Sequence, residues 1–171
     1  MPHSEAAQGL AKGVMKMKYY LAYGSNLNID QMQYRCPKAT PIGTAVIKGY
    51  ELLFKGSKTG SYLTIEQNEN EYVPVGVWEV NEMEERRLDA YEGYPTFYYK
   101  KDIEVCLKDW DGKRRKINAF VYIMHEDRPL GEPSFFYVRT CVEGYRSFGF
   151  KTEHLRKALE KSRANQGDKR Q

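Results

Sequence analysis

Apolar and polar residues alternate with a period of two in several stretches of this chain, separated by stretches with helical spacing, so strands and helices are both predicted. Tyr19, Leu21 and Tyr23 alternate with Tyr20 and Ala22 in a short strand that stops at Gly24-Ser25-Asn26, the composition of a tight turn. Beyond the turn, Asn28 is placed to cap a helix over residues 29–34, and Cys36-Pro37 ends it. Residues 44–54 read as a strand interrupted at Gly49, with Tyr50, Leu52 and Phe54 on one face. Residues 62–65 and 72–80 read as two further strands. In the second of these Val73, Val75 and Val77 share a face, while Pro74 and Gly76 leave the other face small until Trp78, as in an edge strand with a bulge or the wall of a pocket.

Asn81 followed by Glu84 resembles a capping box, and Met83, Arg87, Leu88 and Tyr91 then recur at helical spacing until Gly93 and Pro95. Residues 97–107 alternate as a strand with Ile103, Val105 and Leu107 on one face. Asp109-Trp110-Asp111-Gly112 turns it back into a strand over 116–124, where Ile117, Ala119, Val121 and Ile123 oppose Phe120, Tyr122 and Met124. Ser134 caps a helix, and a last helix is expected over residues 152–161. Residues 1–16 read as a flexible extension and 162–171 as a polar tail that frays, leaving 17–161 as one domain.

Composition narrows the picture. A chain of 171 residues with 41% hydrophobic content suits one core. Its apolar runs are too short to span a bilayer and nothing before Lys18 resembles a leader, so a cytoplasmic protein without a membrane partner is expected. Cys36, Cys106 and Cys141 are odd in number and far apart, which indicates neither a disulfide framework nor a zinc site; reduced, buried thiols are expected. His3, His125 and His154 are as scattered, offering no metal cluster and no base for Ser25, so the expected chemistry uses no metal and no cofactor. The net charge of +4 includes the basic run Lys113 to Lys116, which reads as a solvated hairpin tip in preference to a nucleic-acid contact.

Two places could carry chemistry. A strand that turns sharply into a helix leaves backbone N–H groups around Tyr23 to Asn26 facing outward, which suits an anionic or carbonyl ligand, although such joints are also common as plain connections. Glu92 falls in the last turn of its helix, near the negative end of the macrodipole and among Tyr91, Tyr94, Phe97, Tyr98 and Tyr99. Both surroundings raise its proton affinity towards the range of a general acid–base, although a lone Glu at a helix end is more often a solvated residue. Tyr122 and Tyr137 by themselves read as packing aromatics.

The string Tyr23-Gly24-Ser25-Asn26-Leu27, closing a strand near the N-terminus, resembles the signature of the gamma-glutamylcyclotransferase-like family, which includes gamma-glutamylamine cyclotransferase-type and AIG2-like members. Leu88-Asp89-Ala90-Tyr91-Glu92-Gly93 resembles its second motif, and Pro133-Ser134 with Tyr137, followed by the run 144–149, is a weaker third match. The resemblance spans residues 17–160 and implies an α+β fold, a small mixed β-barrel-like sheet flanked by helices with a pocket at one mouth. It implies cyclisation of the gamma-glutamyl group of a small gamma-glutamyl amide or gamma-glutamylamine to 5-oxoproline, with release of the free amine. Glu92 would then be the catalytic acid–base, and Tyr20, Leu21, Ala22, Tyr23, Gly24, Ser25, Asn26, Tyr122 and Tyr137 the substrate contacts. Tyr94-Pro95 after the motif is closer to the small bacterial or gamma-glutamylamine-type members than to the glutathione-pathway enzyme. The expected partner is a small gamma-glutamyl substrate and not nucleic acid, with the chain a monomer or homodimer. The alternative is a non-catalytic module that binds a small carboxylate in the same pocket.

Overall fold

The computed structural model describes residues 16–168, so the extension expected over residues 1–16 lies, apart from Lys16, outside the described residues. In chain order the elements are β1 (Lys18–Ala22), a 3-10 turn (Ser25–Leu27), α1 (Ile29–Arg35), β2 (Thr40–Ser57) and β3 (Gly60–Val80). Then come α2 (Glu82–Glu92), β4 (Tyr98–Asp109), β5 (Arg114–Met124), α3 (Phe135–Ser147) and α4 (Glu153–Asp168). The strands form a closed barrel in the order β1-β3-β2-β4-β5. One parallel contact, with Tyr20 opposite Phe120, closes it, and the other pairings are antiparallel. The α+β barrel expected from the resemblance is the fold observed.

The cap signals act as their residue types dictate. Asn28, Asn81 and Ser134 each accept, through the side chain, from the backbone N–H three residues on. Glu84 does not complete a capping box: its carboxylate accepts from Lys38 N–H at 3.0 Å and ties α2 to the end of α1. The buried positions of α2 are Glu84, Glu85 and Leu88, whereas Met83 and Tyr91 are about half exposed. Glu85 is tolerated there because Lys18 and Lys100 pair with it, which holds its carboxyl below the usual range against the opposing effect of burial.

Three expectations about the strands change. The segments 62–65 and 72–80 belong to one strand, because the irregularity at Gly49 (φ +78°) is shared across the hairpin: the ladder jumps from Tyr50 opposite Gln67 to Lys48 opposite Tyr72 without ending. Residues 72–80 are not an edge strand either, since β3 has β2 on one side and β1 on the other. Pairing with β1 stops at Ala22 opposite Gly76, so Pro74 has only β2 beside it, where a residue without an N–H is tolerated. The small face at Gly76 is a packing seat and not a pocket wall. A Cβ there would lie 2.7 Å from both Leu27 Cδ2 and Phe148 Cε1, so its lack of a side chain admits the turn and the end of α3.

Cys36 and Cys141 are buried as expected, but Cys106 is exposed, because alternation along β4 turns Val105 and Leu107 inward and Cys106 out. The C-terminal helix continues to Asp168, past the expected start of a frayed tail at 162. Ser162 is fully buried and extends the stripe begun by Leu155 and Ala158, a continuation that its polar side chain hides from an apolar periodicity. Among the described residues no helix is long and apolar enough to cross a membrane.

Candidate functional site

The turn after β1 is held by its own hydrogen bonds and by packing against β3 and α3. Its 3-10 bonds run from Leu27 N–H to Gly24 O and from Asn28 N–H to Ser25 O, which leaves the N–H groups of Gly24, Ser25 and Asn26 without a backbone acceptor among the described residues. Leu27 is fully buried against β3. Gly144 of α3 lies so close that a Cβ there would be 2.6 Å from Asn28 N and from Leu27 C. The Tyr145 hydroxyl donates to Tyr23 O at 2.9 Å, and Asn28 Nδ2 donates to Thr140 O, so α3 grips the turn from behind.

In front of the turn lies a cavity of about 440 Å³, within the roughly 300–1,000 Å³ typical of small-molecule sites. Glu92, the last residue of α2, lines it opposite Tyr20, Tyr23, Gly24, Ser25 and Asn26. The helix ends there because Gly93 takes the left-handed conformation (φ +63°), with its N–H on Ala90 O. Glu92 is the carboxyl among the described lining residues. Desolvation pushes its pKa up from 4.5 to about 7, opposed by the positive charge of Arg35. The neighbouring carboxylates are engaged elsewhere: Glu84 with Lys38 N–H, Glu85 with two lysines, and Asp89 with Lys100 and the Tyr122 hydroxyl.

Asn26 connects the turn to the carboxyl. Its Oδ1 accepts from Arg35 Nη1 at 2.6 Å, which orients the amide so that Nδ2 donates to Tyr20 Oη at 2.9 Å and to Glu92 Oε1 at 3.3 Å. Arg35 also stacks on the Tyr91 ring, 3.6 Å from its centroid, and donates to Ser25 Oγ. Burial raises the phenols of Tyr20, Tyr23 and Tyr137 well above their ordinary value, so they stay protonated. Tyr23 donates to Tyr122 O at 2.6 Å, Tyr98 donates to Leu63 O at 2.8 Å, and Tyr137 Oη accepts from Leu63 N–H at 3.0 Å, closing the back wall.

Of the expected contacts, Tyr20, Tyr23, Gly24, Ser25, Asn26, Tyr122 and Tyr137 line the cavity with Glu92. Leu21 and Ala22 do not: both are buried in the core, because β1 lies between β3 and β5 and its last residues pack on the barrel. The sequence pattern does not single out Arg35, and it sets Asp89 aside because Asp89 is not the residue before the glycine. Arg35 follows the turn by one helix length on a polar face that looks like solvated surface. Asp89 lies one turn before Glu92, a helical spacing that could have been read. Asp89→Ala leaves the buried Tyr122 hydroxyl without its acceptor and Lys100 with Glu85 as its remaining acid; a loss of about 1–3 kcal/mol in a urea unfolding measurement is expected.

Barrel, turn and desolvated carboxyl together form a pocket of a size suited to a small molecule. The chain belongs to the family described as "Gamma-glutamyl cyclotransferase, AIG2-like", whose sequence profile matches residues 20–147. It is 30% identical to the human protein named gamma-glutamylcyclotransferase over 145 residues, covering 81% of this chain and 75% of that protein. Its fold superposes on a solved structure titled "Gamma-glutamyl cyclotransferase" with a TM-score of 0.68 at 28% identity, covering 87% of this chain and 88% of the other. An AIG2-like protein from mouse shares the fold at 20% identity and a TM-score of 0.52, covering 69% of this chain and 88% of that one.

Proposed function

We propose that this enzyme closes the gamma-glutamyl group of a small gamma-glutamyl amide onto itself, forming 5-oxoproline and releasing the amine, with Glu92 as the general acid–base. One observation carries the reading: a carboxyl whose pKa is pushed up to about 7 shares a cavity with backbone N–H groups that have no backbone acceptor among the described residues. The relatives' names supply the substrate class.

The substrate's α-ammonium must lose a proton before its nitrogen can attack, and carboxylate Glu92 accepts that proton. The nitrogen then bonds to the side-chain carbonyl carbon and closes a five-membered ring. As the tetrahedral intermediate collapses, the bond from that carbon to the amide nitrogen breaks, and Glu92 returns the proton so that the amine leaves neutral. The ring nitrogen still carries a second proton, which it sheds as the lactam forms, and the released amine takes up a proton in water, so the four N–H protons of the reactant end as one on the lactam and three on the product ammonium. No enzyme nucleophile takes part, so the protein's main contribution is to hold a folded substrate, and a well-oriented intramolecular attack can recover roughly 7–11 kcal/mol of barrier. Donors among Gly24, Ser25 and Asn26 N–H suit the developing oxyanion or the substrate carboxylate, groups for which such donors are worth about 3–4 kcal/mol.

The direct test is release of 5-oxoproline from gamma-glutamyl amides. Saturable binding without product would instead favour a carboxylate-binding module. A pH profile tests the role of Glu92. As the base must start ionised, kcat/KM is expected to rise with pH through about 7 and to fall again as the free substrate's ammonium is lost. Arg35 favours the ionised carboxyl, so Arg35→Gln is expected to move the acid limb to higher pH, and Arg35→Lys is expected to move it less. An acid limb that stays in place in Arg35→Gln would remove the electrostatic link.

A further inference from the structure

The hydrogen bonds around Asn26 decide what one cavity hydroxyl can do with its proton. A guanidinium has only donors, so the 2.6 Å contact from Arg35 Nη1 identifies the Asn26 atom that meets it as the carbonyl Oδ1 and rules out the flipped amide. Nδ2 then supplies its two N–H groups to the other side, one to Tyr20 Oη at 2.9 Å and one to Glu92 Oε1 at 3.3 Å. The two N–H bonds of an amide diverge by about 120°, which at these lengths sets Tyr20 Oη and Glu92 Oε1 about 5 Å apart. Because the Tyr20 oxygen accepts in its bond, its own proton is not spent on Asn26, and among the described residues no acceptor takes it. The ring holds that hydroxyl in place: it is buried, stacked on Phe120 with centroids 5.4 Å apart, and meets the edge of Tyr122 at 5.7 Å. Nor is the proton given up, since burial first, and then the charge of Glu92, push the phenol well above its ordinary pKa. Tyr20, Asn26 and Glu92 line the cavity together. A desolvated O–H without a protein acceptor is costly unless a ligand supplies one.

Resting on the reaction proposed above, we infer that Tyr20 is a further catalytic residue, its hydroxyl donating to the oxyanion that forms on the substrate's side-chain carbonyl. Glu92 handles protons on the attacking and the departing nitrogen, and in the tetrahedral intermediate both are bonded to that carbonyl carbon. The oxyanion is bonded to the same carbon, so a donor about 5 Å from the carboxyl oxygen reaches it while Glu92 reaches a nitrogen. No bond to hydrogen breaks at Tyr20: the phenol keeps its proton, and its hydrogen bond strengthens as charge develops on the oxygen. Arg35 and Asn26 act through Tyr20 as positioning residues. With the amide reversed, Oδ1 would accept from the Tyr20 hydroxyl and draw its proton away from the substrate.

The first test is Tyr20→Phe, which removes one oxygen and keeps the ring, assayed on whichever gamma-glutamyl amide the parent turns over fastest. Release of 5-oxoproline is expected to fall about 10²- to 10³-fold in kcat, the loss typical of one oxyanion donor, with KM within about threefold. Asn26→Asp keeps the Arg35 contact but replaces the donor by an acceptor for the Tyr20 proton, so kcat above the acid limb is expected to fall as far. The two backgrounds at Asn26 then separate donation from bracing. In Asn26→Asp, adding Tyr20→Phe is expected to cost little more, because the proton is already diverted. In Asn26→Ala, adding it is expected to cost at least about tenfold, whereas a tyrosine that merely braces Asn26 would cost nothing further there. Full kcat in Tyr20→Phe, a loss confined to KM, or no further loss in Asn26→Ala would each overturn the role of Tyr20 and leave the reaction at Glu92 standing. Should Tyr20→Phe fail to fold in a urea unfolding measurement, full kcat in Asn26→Asp overturns the inference by itself. A parent that releases 5-oxoproline from no gamma-glutamyl amide overturns the proposed reaction and this inference with it.

Discussion

Glu92→Gln is expected to lower release of 5-oxoproline by about 10²- to 10⁴-fold, the usual contribution of a positioned general acid–base, with substrate affinity changed only a few-fold. The amide keeps the shape of the side chain and can still accept from Asn26 Nδ2, so binding and fold should survive. Stability moves the other way. The folded carboxyl holds its proton up to about pH 7, whereas the unfolded chain releases it near 4.5, so between these values the folded state binds more protons. The contribution of Glu92 to stability is therefore fully present below pH 4.5, is lost as pH rises through 7, and leaves the folded state carrying a desolvated charge above that. The variant should be more stable than its parent at pH 8, by on the order of 1–3 kcal/mol, and no different at pH 4. Urea unfolding at the two pH values reads this directly. Undiminished turnover would remove Glu92 from the reaction, and a loss of stability at pH 8 would show that its charge has a structural partner.

Gly144→Ala is expected to be the most damaging single methyl group that can be added behind the site. Its Cβ would sit 2.6 Å from backbone atoms of Leu27 and Asn28, and backbone cannot rotate aside as a flexible side chain does. Either α3 or the turn must retreat. Overpacking of this kind costs about 1–3 kcal/mol, and a displacement near 1 Å at the donors can lower turnover about 10²-fold. Gly167→Ala, where nothing lies within 4 Å, serves as the control and should be neutral or slightly stabilising. A Gly144→Ala protein with full activity and unchanged melting would show that α3 does not hold the turn.

Much of this architecture is legible in local chemistry. The caps at Asn28, Asn81 and Ser134, the stop at Gly93 and the turn at Asp109 to Gly112 each depend on a few adjacent residues, and each occurs where its sequence places it. Asp109 even accepts from both Asp111 and Lys113 N–H within its own turn. Failures appear where a position answers to a distant partner. Glu84 and Glu85 resemble a solvated helix face, yet both are buried because Lys38 N–H, Lys18 and Lys100 reach them from other elements. Pro74 and Gly76 look like signs of an edge, and only the short span of β1 and the arrival of Leu27 and Phe148 give them their meaning.

The candidate site divides in the same way. The chain by itself determined that a strand ends in an amide-rich turn and that a helix ends in Glu92, because both endings follow from glycine conformation and from the positions of cap residues nearby. Tertiary structure alone decided that the two line one cavity and that Arg35 orients Asn26 towards the carboxyl. Barrel closure brings these groups together from distant parts of the chain. The desolvation that sets the proton affinity of Glu92 depends on that assembled surrounding, which no stretch of neighbouring residues specifies.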